Sequence, residues 1–147
     1  MTGGRDGWVR FWDLETGRQR LALRPHARYV TALALSDDGR ALASASDCER
    51  VARLWDVATG RGLVELRGHT APVQAVAFAP GGMMVATGGA DETVRLWDVP
   101  SGRERACLRC PGVRPGALAF AADGRALAAG GIEPEVRVWD VSGMMGP

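Results

Sequence analysis

The sequence predicts an all-β protein built from repeated four-stranded antiparallel sheets. Four tryptophans, each followed by an aspartate, lie 43, 42 and 42 residues apart, at Trp12, Trp55, Trp97 and Trp139. Between them, short apolar runs alternate with Gly, Pro and Asp turns, which is the pattern of short strands. A fixed period of this length is typical of stacked repeats, because one repeat cannot bury its apolar faces alone.

The third repeat shows four strand patterns most clearly. The first pattern is apolar on both faces, which predicts burial on both sides. Gly81 and Gly82 form the turn to the second strand, and the segment 90–92 forms a tight turn to the third. The last strand is rich in Arg and Glu, which is typical of a half-exposed outer edge. The predicted strands are, in order, Val73–Phe78, Met83–Gly88, Thr93–Asp98 and Arg103–Leu108.

The other repeats align with the third one. The following repeat aligns without a gap, so that Phe78 meets Phe120 and Gly89 meets Gly131. The preceding repeat aligns with one extra residue near 47–50, where a loop is expected, and residues 2–13 match 87–98. We therefore expect 13 strands in four units: the second half of a partial first unit at 1–25, complete units at 26–68 and 69–110, and a fourth unit at 111–147 that lacks its outer strand.

The same residues carry a family resemblance. Gly68 and His69 form a GH pair, each repeat ends in the WD dipeptide, and a D-x-x-(S/T)-G turn follows the first three of these dipeptides. With a period near 42, this combination resembles the WD-repeat β-propeller family over nearly the whole chain. The resemblance implies that each repeat is one blade, a four-stranded antiparallel sheet, and that the chain forms an incomplete ring.

The resemblance also implies a network of buried polar side chains. In the third repeat, Asp91 accepts a hydrogen bond from His69, and the contacts continue to Thr87 and the indole N–H of Trp97. Pairing these groups avoids the cost of a buried orphan, roughly 1–3 kcal/mol each. Only Trp139 of this set remains in the fourth repeat, so we expect the fourth blade to be the least stable. The equivalent set in the second repeat is His26, Ser44, Asp47 and Trp55.

The resemblance further implies that partners dock on the top face of the ring, around the mouth of its channel. The positions concerned lie at the start of each first strand and just before the turn aspartate. Tyr and Arg most often dominate binding energy, so Arg5, Arg28, Tyr29 and Arg114 come first. The full set of expected partner-binding residues is Arg5, Arg28, Tyr29, Thr31, Ser46, Pro72, Gln74, Ala90, Arg114, Gly116 and Ile132.

Composition narrows the possible partners and location. Apolar residues make up 46% of the chain and charged residues 24%, which is ordinary for a globular protein. The net charge of +1 predicts no broad basic surface for nucleic acid or acidic lipid. No run approaches the ~18 apolar residues of a membrane helix, and the first ten residues lack the apolar core of a signal peptide. We therefore expect a cytoplasmic protein with protein partners and neither nucleic acid nor membrane.

Two cysteines provide the main alternative function. Cys107 and Cys110 form a CxxC pattern, which could serve a thiol-dependent enzyme or half of a metal site. A second ligand pair at matching spacing is missing, and no paired carboxylates, nucleophile elbow or phosphate-binding loop can be placed. The sequence therefore favours a non-catalytic interaction scaffold without metal or cofactor. A variant of that function is a docking or sensor segment of a longer regulatory protein, such as a kinase.

The number of repeats raises the question of ring closure. Three and a quarter blades cannot close around an axis and would leave two blade faces bare. A piece of a longer array is the first expectation. The second is a homodimer that forms a six-bladed ring, in which Gly17–Leu23 of one copy supplies the missing outer strand of the other; Val9–Asp13 would then be surplus, which counts against it. The third is an open array capped by other proteins.

Overall fold

The computed structural model describes residues 1–144 as an array of antiparallel sheets. Fourteen strands and a single 3₁₀ turn at Ser142–Met144 make up the regular structure of these residues. The expected count of 13 strands was wrong by one, because Thr2–Gly3 pairs with Val9–Arg10 as an additional short strand. Within 1–144, no helix has the length and apolar character needed to cross a lipid bilayer.

The two inner sheets have four strands each, and their strands follow one another in sequence order. Sheet 2 contains β4 to β7, and sheet 3 contains β8 to β11. The bounds differ from the predicted ones by at most one residue in sheet 3. They are Ala32–Leu35, Ala41–Ala45, Val51–Asp56 and Gly62–Arg67 in sheet 2, then Val73–Phe78, Met84–Gly89, Thr93–Asp98 and Glu104–Arg109 in sheet 3.

The outer two sheets have three strands each in the described residues. Sheet 1 contains β1 to β3, at Thr2–Gly3, Val9–Trp12 and Gln19–Leu23. Sheet 4 contains β12 to β14, at Ala117–Phe120, Ala126–Gly130 and Val136–Asp140. The strand β14 is therefore an edge strand there. The expected fourth unit extends to residue 147, and residues 145–147 lie outside the described part.

The aspartate after each of the first three tryptophans forms the turn to the outer strand. The Asp13, Asp56 and Asp98 carboxylates accept hydrogen bonds from the backbone N–H three residues later, at 2.8, 2.7 and 2.9 Å. A glycine then takes a positive φ, for example 67° at Gly102. A Cβ at Gly102 would lie 2.4 Å from Val64 Cγ2. This glycine is therefore required both by the turn and by the close approach of sheet 2.

Apolar side chains from consecutive sheets form three separate cores. Val9, Leu23 and Leu42 are centred between sheets 1 and 2. Leu54, Leu66 and Val85 belong to the core between sheets 2 and 3. The core between sheets 3 and 4 contains the fully buried residues Val94, Leu96, Cys110, Val113, Leu127 and Val141. Each sheet is thus stabilised chiefly by its neighbours, as expected of a repeat array.

The far face of sheet 4 is not covered by the described residues. Val136 and Val138 are 68% and 65% exposed, whereas the equivalent Val94 and Leu96 in sheet 3 are fully buried. The same sequence pattern therefore produces a core face in sheet 3 and an open apolar face in sheet 4. The difference comes from the neighbouring sheet, not from the strand itself.

Candidate functional site

A buried hydrogen-bond network ties sheet 3 together. His69 Nδ1 lies 3.0 Å from both carboxylate oxygens of Asp91, and its Nε2 lies 2.8 Å from Thr87 Oγ1. The same Thr87 oxygen accepts the indole N–H of Trp97 at 2.8 Å. Each N–H and O–H group of the network has an acceptor if Nδ1–H donates to Asp91 and the Thr87 hydroxyl donates to Nε2. This assignment requires a neutral histidine.

The electrostatics of the network favour that neutral state. Burial lowers the pKa of His69 by penalising the imidazolium, although Asp91 opposes the shift. The pKa of Asp91 is also lowered: burial raises it, but hydrogen bonds from Thr93, the Thr70 N–H and His69 outweigh that effect. A neutral histidine with its two nitrogens already bonded orients the loop and strands. Both of its ring nitrogens are engaged within the fold.

The second blade has a related network with one different member. His26 Nε2 and Trp55 Nε1 each lie 3.0 Å from Ser44 Oγ. The carboxylate nearest the histidine is that of Glu49, whose Oε1 lies 3.2 Å from His26 Nδ1. Arg53 Nη1 lies between them: it donates to His26 Nδ1 at 2.7 Å and to Glu49 Oε2. The expectation of Asp47 was wrong: Asp47 is exposed, and its carboxylate accepts a contact from Cys48 Sγ. The extra residue of this repeat precedes the acceptor, which therefore stands 23 positions after its histidine instead of 22.

The first and fourth blades keep only parts of this arrangement. Trp12 Nε1 donates to Thr2 Oγ1 at 3.0 Å, but Trp12 is 39% exposed. In the fourth blade, Glu133 occupies the turn position and accepts the backbone N–H of Arg114 at 3.2 Å. Ala129 stands where Thr87 is found, so Trp139 has no hydroxyl acceptor at that position.

Five of the expected partner-binding residues line one cavity of about 490 Å³: Thr31, Gln74, Arg114, Gly116 and Ile132. They come from three successive blades, and Asp47, Ala117, Gly130 and Gly131 complete the wall. Asp47 therefore lies in the wall of this cavity and not in the second-blade network. Arg114 and Asp47, which carry opposite charges, both line the cavity, as does Ile132, which is 92% exposed.

Four further candidates, Arg5, Arg28, Tyr29 and Ser46, lie where the first and second blades meet. The Arg5 guanidinium lies over the Tyr29 ring, 6.0 Å from its centroid, and Tyr29 is 37% exposed. Arg28 is exposed, and its carbonyl accepts the Ser46 hydroxyl at 3.4 Å. Ser46 itself is fully buried, so its assignment as a partner-binding residue was wrong. Its hydroxyl faces inward because it binds the backbone of Arg28 and Cys48.

The remaining two candidates, Pro72 and Ala90, are half-buried. The Ala90 N–H donates to the Pro72 carbonyl at 2.9 Å. This bond fixes the start of β8 against the turn after β9. The backbones of both residues therefore stabilise this part of the blade, independently of any contact that their side chains make with a partner.

The two cysteines of the CxxC pattern lie in different environments. Cys107 is exposed on the outer strand β11, whereas Cys110 is fully buried in the core between sheets 3 and 4. Burial raises the pKa of the Cys110 thiol to about 11. A thiol with so high a pKa is a poor nucleophile. Among residues 1–144, no group of three or more His, Cys, Asp or Glu side chains could hold a metal ion.

Comparison with known families explains this repeated arrangement. The family model described as WD domain, G-beta repeat matches residues 17–56 and 60–98, which is more than half of the 147 residues. The chain belongs to the WD-repeat family. Its fold class is confirmed as all-β, with antiparallel sheets of three or four strands in residues 1–144. A comparison with curated proteins finds no match to the chain.

The matched segments show how the repeats of this WD-repeat protein interlock. Each segment begins at the outer strand of one blade and ends at the third strand of the next: residues 17–56 run from β3 to β6, and residues 60–98 from β7 to β10. One sequence repeat thus contributes to two blades. Such sharing links neighbouring blades through the chain itself as well as through their apolar cores.

Proposed function

We propose that this WD-repeat protein is a non-catalytic interaction scaffold whose partners dock around the 490 Å³ cavity. WD repeats generally mediate protein–protein interaction. The observation that carries the proposal is the convergence of one repeat position from three blades on one cavity, with Thr31, Gln74 and Gly116 in its wall. A rigid surface assembled from several repeats suits recognition, because its side chains are held in place before the partner arrives.

The chemistry of the surface favours a protein partner. Arg114 supplies a planar guanidinium, Asp47 supplies an opposite charge, and Ile132 supplies an exposed apolar contact. Tyr29 with Arg5 adds an aromatic anchor of the kind that often carries binding energy. A docking role inside a longer regulatory protein, such as a kinase, would use the same residues.

Site-specific photocrosslinking tests this function. A photoreactive amino acid is placed at Ile132 and, as the matched control, at Leu14; these side chains are 92% and 94% exposed. In cell extract, Ile132 should form discrete crosslinks to another protein, and the additional change Arg114→Ala should weaken them. Leu14 should not give the same products. Identical products from both positions, or crosslinks unaffected by Arg114→Ala, would overturn the proposal.

A second copy of the chain is the second candidate partner. It is favoured by the exposed Val136 and Val138 face and by a cavity of about 800 Å³ between the β12–β13 turn and the end of β14, which Val138 and Trp139 help to line. Two copies would form a six-bladed ring. Sedimentation should then give twice the 15.6 kDa chain mass, and Val138→Asp should shift the mass to the monomer. A monomer at all protein concentrations would refute the dimer.

A further inference from the structure

Blades 2 and 3 are sheets 2 and 3, and their outer strands are β7 and β11. These two strands differ at one position that faces two arginines. In blade 2, Glu65 lies opposite Arg53 in the strand register. Its Oε1 accepts a hydrogen bond from Arg53 Nε at 3.0 Å, and its Oε2 accepts one from Arg67. A single carboxylate therefore bridges two guanidinium groups, a favourable charge-assisted arrangement.

Blade 3 keeps both arginines but not the carboxylate. Arg95 and Arg109 stand at the positions of Arg53 and Arg67, and Cys107 stands opposite Arg95 where Glu65 stands opposite Arg53. Arg95 Nε is buried, and it donates no hydrogen bond to residues 1–144. Glu104 binds a different nitrogen, Nη1, at 2.6 Å. The orphaned Nε is the donor that Glu65 satisfies in blade 2.

A cavity of about 420 Å³ opens at this position. Arg95, Cys107 and Arg109 line it, together with Asp91 and Glu92. Two carboxylates on the wall are already engaged: Asp91 with His69, and Glu92 with the Gly112 N–H at 3.1 Å. The exposed Cys107 thiol leaves room that the longer Glu65 side chain takes up in blade 2.

We propose that Arg95 and Arg109 form a carboxylate-binding site, the blade-3 groove, which takes an aspartate or glutamate side chain of a partner protein. The incoming carboxylate does what Glu65 does in blade 2: it accepts the Arg95 Nε–H and pairs with Arg109. The negative charges of Asp91 and Glu92 weaken the binding of a free anion. A carboxylate carried by a partner segment has the advantage of high effective concentration. This inference rests on the proposed scaffold function.

A tethered carboxylate tests whether the groove accepts the group. In a Cys48→Ser background, iodoacetate converts Cys107 to its S-carboxymethyl form: the thiolate sulfur bonds to the methylene carbon and iodide leaves. Iodoacetamide gives the neutral control of nearly the same shape. The buried Cys110, with its pKa raised to about 11, should stay unmodified. Only the carboxymethyl form should shift the Arg95 Nε–H proton resonance downfield and raise the urea midpoint, as should Cys107→Glu. Equal behaviour of the two adducts would overturn the proposal.

A peptide in solution tests the partner's chemistry. The probe is a blocked pentapeptide with one central glutamate, and its control has glutamine there. The glutamate peptide alone should shift the Arg95 Nε–H resonance saturably, Arg109→Gln should weaken that binding at least fivefold, and Cys107→Glu should abolish it. No binding, or equal binding of the glutamine peptide, would refute the site. Tighter binding of acetate or inorganic phosphate than of the peptide would overturn the assignment to a protein side chain.

The two proposals fail separately. Arg114→Ala should leave the peptide titration unchanged, because Arg114 lines the other cavity. Loss of the Ile132 crosslinks with an intact titration would refute the scaffold surface alone. Intact Ile132 crosslinks with no peptide binding would refute the blade-3 groove alone.

Discussion

Removing the Thr87 hydroxyl should destabilise the protein more than any surface change of the same type. Thr87 is fully buried and holds both Trp97 and His69 at 2.8 Å. Thr87→Val keeps the volume and the β-branched shape but leaves the indole N–H and His69 Nε2 without partners. Trp97 is only 2% exposed, so water cannot replace the lost acceptor without a structural change.

The magnitude follows from these two orphaned groups. Each costs about 1–3 kcal/mol, and the additional buried methyl returns about 0.8 kcal/mol, so we expect a net loss of about 3 kcal/mol. For a chain of this size, that corresponds to roughly 6–12 °C in melting temperature. The loss is a large part of a total stability of about 5–15 kcal/mol.

The matched control is Thr2→Val in the first blade. Thr2 accepts the same indole bond from Trp12 at 3.0 Å, but Thr2 is exposed and Trp12 is 39% exposed, so water can take over. We expect a change within about 0.5 kcal/mol. The assay is urea unfolding of both variants, with the slope of the transition compared to exclude a change in mechanism. Equal losses at the two positions would refute the argument that burial makes this bond valuable.

Three further predictions concern hydrogen exchange in the fourth blade, the pH dependence of stability and the reactivity of the thiols. Backbone amides of β13 and β14 should exchange with solvent faster than those of β9 and β10, because β9 is buried throughout whereas β14 is an exposed edge. Hydrogen exchange measures this difference, and equal protection of the two pairs would contradict it. The urea midpoint should fall as the pH decreases through 6.5. Burial lowers the pKa of His69 and His26 in the folded state, so only the unfolded chain takes up protons in this range. A midpoint that rises on acidification would contradict this pH dependence of stability. A thiol reagent at pH 8 should modify Cys48 and Cys107 in the native protein but should modify Cys110 only on unfolding. Mass spectrometry reports the number of adducts. Modification of Cys110 in the native protein would show that the core between sheets 3 and 4 is open to solvent.

The repeat and its turn chemistry could be predicted from the residues alone. The tryptophan period, the aspartate–glycine turns and the strand bounds of sheet 3 are properties of short segments, so they could be predicted to within one residue. The pairing of His69 with Asp91 could also be anticipated, because both positions belong to a motif of fixed spacing in an uninterrupted repeat. The structure places them 3.0 Å apart.

Contacts between side chains outside that fixed spacing depend on how the blades pack, so they could not be read from the residues. One inserted residue moved the network acceptor from Asp47 to Glu49 and left Asp47 in the wall of the cavity. Burial of Ser46 depends on the backbone of Arg28, 18 residues earlier in the chain. Arg95 Nε lacks the acceptor that Glu65 provides to Arg53, because Cys107 lies opposite it in the strand register. Periodicity fixes which residues are equivalent, but the environment of each one depends on the blade that packs against it.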